Sequence, residues 1–209
     1  MKNILLLIVG GFAIGILLAF LNIQFNFWGF VVILILAFAA LSYRDVRYMF
    51  LSKDIDKIER YLEKKRHEPY YGFILELANG NLSLAKNELD ELERKWKGKK
   101  TAVFWAQYYL KAKNLSKAKE KLEQIEQVDI RTYIQAGIAV EEKNFKVAEE
   151  FKSLLSKDWM KLAIELEMAL GRKNYSLAKE KKEQALAVTK GLQYYMLYRE
   201  FEQLKGDSS

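Results

Sequence analysis

The apolar positions of this chain fall into two regimes. Ile4 to Leu21 is a continuous apolar run relieved only by Gly10, Gly11 and Gly15. Asn22-Ile23-Gln24-Phe25-Asn26 interrupts it, and Phe27 to Leu41 is apolar again. One helix through residues 4–41 would be about 57 Å long, nearly twice a hydrocarbon core of about 30 Å. It would also leave three amide side chains at alternate positions in lipid. Two spans joined by a short polar turn resolve both difficulties. The pattern therefore predicts a transmembrane hairpin with helices at about 4–21 and 27–43. A cleaved signal peptide is the competing reading. Its positive region would be Lys2 alone, and its apolar region would exceed the usual length of roughly 7–15 residues.

Orientation follows from the cations. Lys2 precedes the first span, Arg44, Arg47 and Lys53 follow the second, and the turn at 22–26 carries no charge. The positive-inside rule then puts both ends in the cytoplasm. Gly11 and Gly15 form a small-residue pair suited to face Ala37 and Ala40 on the second span, although glycine is common in membrane helices anyway. Phe27 and Trp28 are expected at the outer interface, and Tyr43 and Tyr48 near the inner one. No Gly-, Ser- or Pro-rich stretch separates residues 41 and 54, so the second span is expected to run straight into the first repeat.

Beyond residue 44 the apolar residues recur at helical spacing. Helices are predicted at 54–65, 69–79, 82–97, 101–112, 115–127, 130–142, 145–156, 158–171, 175–188 and about 190–204. Pro69, the one proline, suits the first turn of its helix. A short phrase punctuates the series: Gly80-Asn81-Leu82-Ser83-Leu84-Ala85, Lys113-Asn114-Leu115-Ser116-Lys117-Ala118, Lys143-Asn144-Phe145-Lys146-Val147-Ala148 and Lys173-Asn174-Tyr175-Ser176-Leu177-Ala178. The asparagines recur after 33, 30 and 30 residues, a period that marks stacked supersecondary units. Gly and Asn tolerate left-handed backbone and Asn or Ser caps a new helix, so each phrase predicts an elbow. The large residue after Asn plugs the corner, and the Ala three positions on lets two helices approach.

These elbows resemble those of the tetratricopeptide repeat family, which carry Gly-Asp/Asn-Tyr-x-x-Ala in a unit of about 34 residues. The resemblance covers roughly residues 68–188. It rests on Ala85, Ala118, Ala148 and Ala178, with Leu82, Leu115, Phe145 and Tyr175 three positions before them. The small first-helix residue of the family is met by Ala106 and Ala136 but replaced by Phe73 and Leu166, and its closing Pro is absent. With the apolar pattern of the first 43 residues, the resemblance implies an all-α chain: a transmembrane helical hairpin, then a right-handed superhelical array of antiparallel hairpins. The expected division is residues 1–43 as anchor, 44–205 as repeat domain and 206–209 as a frayed tail. The last helix is expected to cap the open end of the stack. The resemblance also implies a concave groove, lined by first helices, that takes a peptide or partner helix. Tyr70, Gln107, Lys111, Tyr133, Glu141 and Glu167 are expected to face it.

Composition narrows the chemistry. With no Cys there is no disulfide, thiolate metal site or Cys nucleophile. His67, the only imidazole, sits in a polar corner between Arg66 and Glu68 and reads as a solvated surface residue. The pairs Glu141/Glu142 and Glu149/Glu150 point about 100° apart on a helix and do not converge on a substrate. No phosphate-binding loop, nucleophile elbow or zinc-protease motif occurs. No catalysis, cofactor, metal or small-molecule substrate is expected. The net charge of +7 is spread over a mixed surface, unlike the dense basic stripe of a nucleic-acid binder.

One dense basic cluster stands out, Arg94, Lys95, Trp96, Lys97, Lys99 and Lys100 around Gly98. It reads either as a contact for anionic lipid head groups or as a helix C-terminus favoured by the dipole, closed by Gly98 with Trp96 packed inward. Abundant Lys, Asn and Ile with few Arg suggests an AT-rich bacterial genome. The function expected is a non-catalytic, membrane-anchored scaffold that binds a protein partner at the cytoplasmic face, the bilayer being met by residues 4–43. Two alternatives stand beside it: an accessory subunit of a transport or secretion complex whose specificity lies in the spans, and an anionic-lipid-surface module.

Overall fold

The computed structural model describes residues 27–96 and 98–206, and every element within them is helical or a connection between helices. Cα packing divides the chain into two compact units, residues 1–47 and 48–209. The first expected span, residues 4–21, its turn at 22–26 and the Gly11/Gly15 pair lie outside the described residues.

In the first unit, α1 runs from Phe27 to Val46. Among the described residues no helix is long and apolar enough to cross a membrane. The uninterrupted apolar part of α1 ends at Leu41, so it spans about 22 Å against a hydrocarbon core of about 30 Å. Val32, Leu34, Ile35, Leu36 and Phe38 are nonetheless all exposed on it. Consecutive helical residues point about 100° apart, so apolar surface faces outward around most of the circumference.

A π-helical turn, Arg47–Leu51, comes next. The second unit then contains α2 (Ile55–Lys64), α3 (Pro69–Ala78), α4 (Leu82–Trp96), a 3-10 turn (Gly98–Thr101), α5 (Ala102–Lys111), α6 (Leu115–Leu122), α7 (Val128–Glu141), α8 (Phe145–Ser153), α9 (Asp158–Gly171), α10 (Tyr175–Val188) and α11 (Gly191–Gly206). The pairs α3/α4, α5/α6, α7/α8 and α9/α10 form hairpins. The expected helix α6 stops five residues early, at Leu122. Amides of Gln124 and Ile125 bond back only three residues there, and the buried Ile125 carbonyl accepts from Arg131 instead of continuing the helix.

The elbows share one mechanism. Lys113 donates its N–H to the Leu110 carbonyl and Asn114 donates to Tyr109, the paired bonds of a Schellman closure. The same pairs recur at Lys143/Asn144, Lys173/Asn174 and Gly80/Asn81. The left-handed residue is thus the one before Asn: φ is 58°, 59° and 58° at the three lysines and 76° at Gly80. Asn114, Asn144 and Asn174 then cap the next helix, each side chain accepting from the N–H three residues on. One Asn therefore closes a helix and opens the next, which is why the phrase is so short. Asn81 differs, because its side chain donates to the buried carboxylate of Glu76.

Three lysines held left-handed are a recurrent local strain, since a Cβ there costs roughly 1–2 kcal/mol. Lys143→Gly and Lys173→Gly are each expected to stabilise the chain by about 1 kcal/mol, less the entropy glycine loses on folding. Urea titrations of the two variants check this; destabilisation by both would refute the strain.

The elbow alanines behave as the spacing predicts, with Ala85, Ala118 and Ala148 fully buried and Ala178 nearly so. The plug is less regular. Leu82, Leu115 and Phe145 are partly buried, but Tyr175 is 63 % exposed and fills no corner.

The array does not end in an open, capped face. α11 packs on α10 but also on α2 and α3, the start of the unit. Gly191 donates to the Ser52 carbonyl at 2.7 Å, and Lys53 Nζ reaches the carbonyls of Leu186 and Ala187 at the end of α10. Leu192 and the fully buried Tyr195 join the core of Ile58, Tyr61, Leu62 and Phe73. Leu197 and Phe201 join a separate core with Ala163, Leu166 and Ala169 of α9 and Ala178 and Ala185 of α10. The physical reason is the pattern on α11. Leu192, Tyr195 and Arg199 form one stripe, and Leu197 and Phe201 another on roughly the opposite side. A helix with two such stripes needs two surfaces, whereas a cap needs one.

Candidate functional site

The first helices of the hairpins make the inner face. α5 packs beside α7 and α7 beside α9, while Phe104 of α5 meets Phe73 of α3 with ring centres 5.7 Å apart. α11 lies across this face, sequestering Tyr195 with α2 and α3 at one end and Phe201 with α9 at the other. Between those two apolar seats, Glu200 reaches down to Lys111 of α5 at 3.0 Å.

Four of the six residues expected to face a groove meet here. Lys111 holds Glu200. Tyr133 of α7 packs on Trp159, ring centres 5.6 Å apart, and burial, then Glu167 and Glu200, push its hydroxyl well above the ordinary range. Glu141 at the end of α7 is exposed and pairs with Lys113. Glu167 of α9 is half-buried, its carboxylate lying against Gly137 of α7. Burial, with Glu200 and Glu141 adding negative charge, pushes its carboxyl up to about 8 against the pull of Lys111 and Lys113. It is therefore largely protonated at neutral pH.

The remaining two lie elsewhere or less centrally. Gln107 is half-buried one turn before Lys111, on the same side of α5. Tyr70 belongs to an aromatic cluster between hairpins. It stacks on Trp96 at 6.0 Å and meets Tyr71 and Phe104 edge-on. Burial raises its hydroxyl. A place in a first helix predicts that Tyr70 faces the groove, but its position at the start of α3 turns it toward the end of α4.

That same cluster decides part of the basic stretch. Trp96 is 43 % exposed while one side stacks on Tyr70, so it is neither packed wholly inward nor free of the fold. Arg94 pairs with Glu91 in the last turn of α4, and Lys95 and Lys100 are exposed. Lys97 and the side chain of Lys99 lie outside the described residues.

The inner face also holds residues that the sequence pattern does not single out, namely Glu200, Lys113, Glu59 and Arg199. Glu59 of α2 accepts from the Tyr195 hydroxyl at 3.1 Å and pairs with Arg199. Burial and then the Glu59 charge push the Tyr195 hydroxyl up to about 12. Arg199 Nε is buried without a hydrogen-bond partner, the one such side-chain atom among the described residues. The twin stripes of α11 were the available signal for this arrangement.

Among the described residues no three His, Cys, Asp or Glu side chains group as metal ligands. The inner face is thus a surface of aromatic, aliphatic and charged groups suited to seating a helix. The class is an all-α array of helical hairpins, closed by its own last helix. No protein-family model, curated protein or solved structure matches the chain.

Proposed function

We propose that this protein is a membrane-anchored, non-catalytic adaptor of tetratricopeptide-like build that holds a partner protein at the cytoplasmic face of the bilayer. The observation that supports this most is the inner face itself, which accommodates an amphipathic helix through two apolar seats and a central ion pair. Aromatic and Arg anchors with interspersed polar groups are the usual makings of a recognition surface. For the anchor, the support is the apolar circumference of α1, because five large apolar residues exposed on one helix need a cover that water does not give. A hairpin formed with residues 4–21 would supply the second span, with Tyr43 extending the short apolar part into the interface; Tyr48, expected there too, packs instead on Tyr61 of the repeat core, ring centres 5.3 Å apart.

Affinity purification of the full-length protein from its own membranes tests the reading, alongside a form whose residues 1–43 are replaced by a foreign two-span hairpin. The same partner is expected with both forms. Loss of the partner on replacement would instead assign specificity to the spans and make this an accessory subunit of a membrane complex.

A second reading is favoured by the exposed half of Trp96 beside Lys95 and Lys100. Near an anionic surface each basic residue contributes about 1 kcal/mol. Changing Arg94, Lys95, Lys97, Lys99 and Lys100 to Gln in the full chain is then expected to weaken adsorption to phosphatidylserine vesicles, as is added salt. Vesicle binding indifferent to both would exclude lipid contact through this cluster.

A further inference from the structure

The seam where the first and last elements of the repeat unit meet leaves a compact apolar patch uncovered. Gly191 donates to the Ser52 carbonyl, a Cβ on it would meet the Met49 and Phe50 backbone, and Lys53 Nζ holds the carbonyls of Leu186 and Ala187. Residues 49–53 therefore run alongside residues 186–191. Along this joint Phe50 is 61 % exposed, Leu51 55 % and Val188 56 %. Cations flank them. Lys53 and Lys190 are both exposed, while Asp54, the acid next to Lys53, is taken by Lys57 at 2.7 Å. A chain of side-chain contacts ties the seam to the end of the first hairpin. The Tyr71 hydroxyl donates to the Met49 sulfur at 3.6 Å, Tyr71 meets Tyr70 edge-on, and Tyr70 stacks on Trp96, which neighbours the exposed Lys95. The elbow end of the hairpins differs. The Lys-Asn pairs of the last three elbows are exposed there, and the large apolar residues exposed at that end, Leu84 and Tyr175, belong to different hairpins.

We infer that this seam rests on the bilayer surface, with Phe50, Leu51 and Val188 set among the lipid head groups and Lys53 and Lys190 against anionic ones. The inference rests on the reading of residues 1–43 as a membrane anchor. Seven residue steps separate Phe50 from residue 43, at most about 25 Å of fully extended chain, so the seam stays near the surface wherever the rest of the array points. Apolar side chains with lysines beside them are what an anionic interface takes up: the former enter the head-group boundary and the latter meet its negative potential. Trp96 and Lys95, tied to the seam through Tyr70 and Tyr71, then approach the same surface, so lipid contact reaches beyond the basic stretch to the closure itself. The bilayer covers the joint between the entering chain and α11, and the end of α10 that carries its elbow is turned away from it.

The chain has no cysteine, so a single thiol can be placed where it is wanted in the full-length protein. Val188→Cys and Ser176→Cys, both at exposed positions, put a fluorophore at the two ends of α10, about 18 Å apart along the helix. Each labelled chain is reconstituted in vesicles of phosphatidylcholine and phosphatidylserine in which part of the lipid carries a head-group nitroxide, a quencher that acts only at close range. Given that separation, the label at 188 is expected to be quenched about threefold or more above the label at 176. Phe50→Ser with Leu51→Ser is expected to bring the label at 188 most of the way down to the level at 176, since interfacial binding scales with buried apolar area. Equal quenching at the two positions would overturn the inference, as would quenching at 188 that ignores the double serine change. A label at 188 that is shielded but unquenched, and that responds to dilution of protein in lipid, would give the patch to a second copy of the chain and overturn it too. Extraction with alkaline carbonate separates this from the anchor reading. A chain stripped from the vesicles overturns both, whereas a chain retained with equal quenching overturns the seam contact alone.

Discussion

Gly191→Ala is expected to be the most damaging small substitution in the repeat unit, lowering stability by about 3 kcal/mol or more. Two independent costs combine. The residue sits at φ +60°, where a side chain costs roughly 1–2 kcal/mol. A Cβ there would also collide with the Met49 carbonyl and lie 2.5 Å from the Phe50 nitrogen, and both are backbone atoms. Backbone cannot rotate away as a side chain can, so α11 must withdraw from Ser52 and carry Leu192 and Tyr195 with it; forced shifts of this kind cost about 1–3 kcal/mol. For a chain of this size the sum lowers Tm by roughly 6–12 °C. Gly80→Lys is the control, because three sister elbows already carry Lys at nearly the same φ. Thermal unfolding followed at 222 nm decides it. A Gly191→Ala chain melting within a degree or two of Gly80→Lys would show that the closure has slack.

The second large effect is on pH dependence, through Glu167. Its carboxyl is raised from 4.5 to about 8, first by burial and then by Glu200 and Glu141. Unfolded, it loses its proton near 4.5; folded, it keeps it until about 8. Between those values the native state binds more protons than the unfolded one, so stability falls as pH rises, by up to ~1.4 kcal/mol per pH unit. Below the window the group contributes its full stabilisation, and above it nothing further changes. The groups facing it are Glu200 from α11, Tyr133 and Glu141 from α7, and Lys111 and Lys113 at the end of α5. Glu167→Gln, a neutral isostere of the protonated acid, is expected to remove the slope. Urea midpoints for both chains at pH 5 and pH 8 give the comparison; parallel losses in the two would remove Glu167 as the origin.

Much of the repeat unit is legible in local chemistry. The elbows can be read because one Asn does two jobs there, and a local rule leaves a local signature. Helix ends agree with the sequence pattern to within a residue or two wherever an elbow sets them, as at Ala78, Lys111, Glu141 and Gly171. The largest miss, the end of α6, has no elbow and depends on a carbonyl captured by Arg131 from the next helix. Propensity assigns the left-handed position to Gly or Asn, yet Lys occupies it in three elbows because the Schellman bonds hold it there.

The inner face is half legible. Lys111, Tyr133, Glu141 and Glu167 follow from a register that counts first-helix positions, and the structure places Lys111, Tyr133 and Glu141 within electrostatic reach of Glu167. Tyr70 fails because α3 begins beside the end of α4, where the aromatic cluster claims it. Glu200 and Arg199 are invisible for another reason. Charged residues on a terminal helix look like solvated surface, and only closure across separations of 89 residues for Glu200 and 140 for Arg199 brings them inside. Helical periodicity states which positions want cover, not which distant segment supplies it.

Closure also fixes copy number. An open hairpin array can gain or lose a unit near either end, because each unit meets only its neighbours. Here Gly191 must return to Ser52, and Arg199 and Tyr195 must return to Glu59. A fifth hairpin would carry α11 past its seats on α2 and α3, and three hairpins would leave it short of them. Gene-level duplication or deletion of the roughly 30-residue unit, the usual route by which repeat proteins change length, is closed to this one.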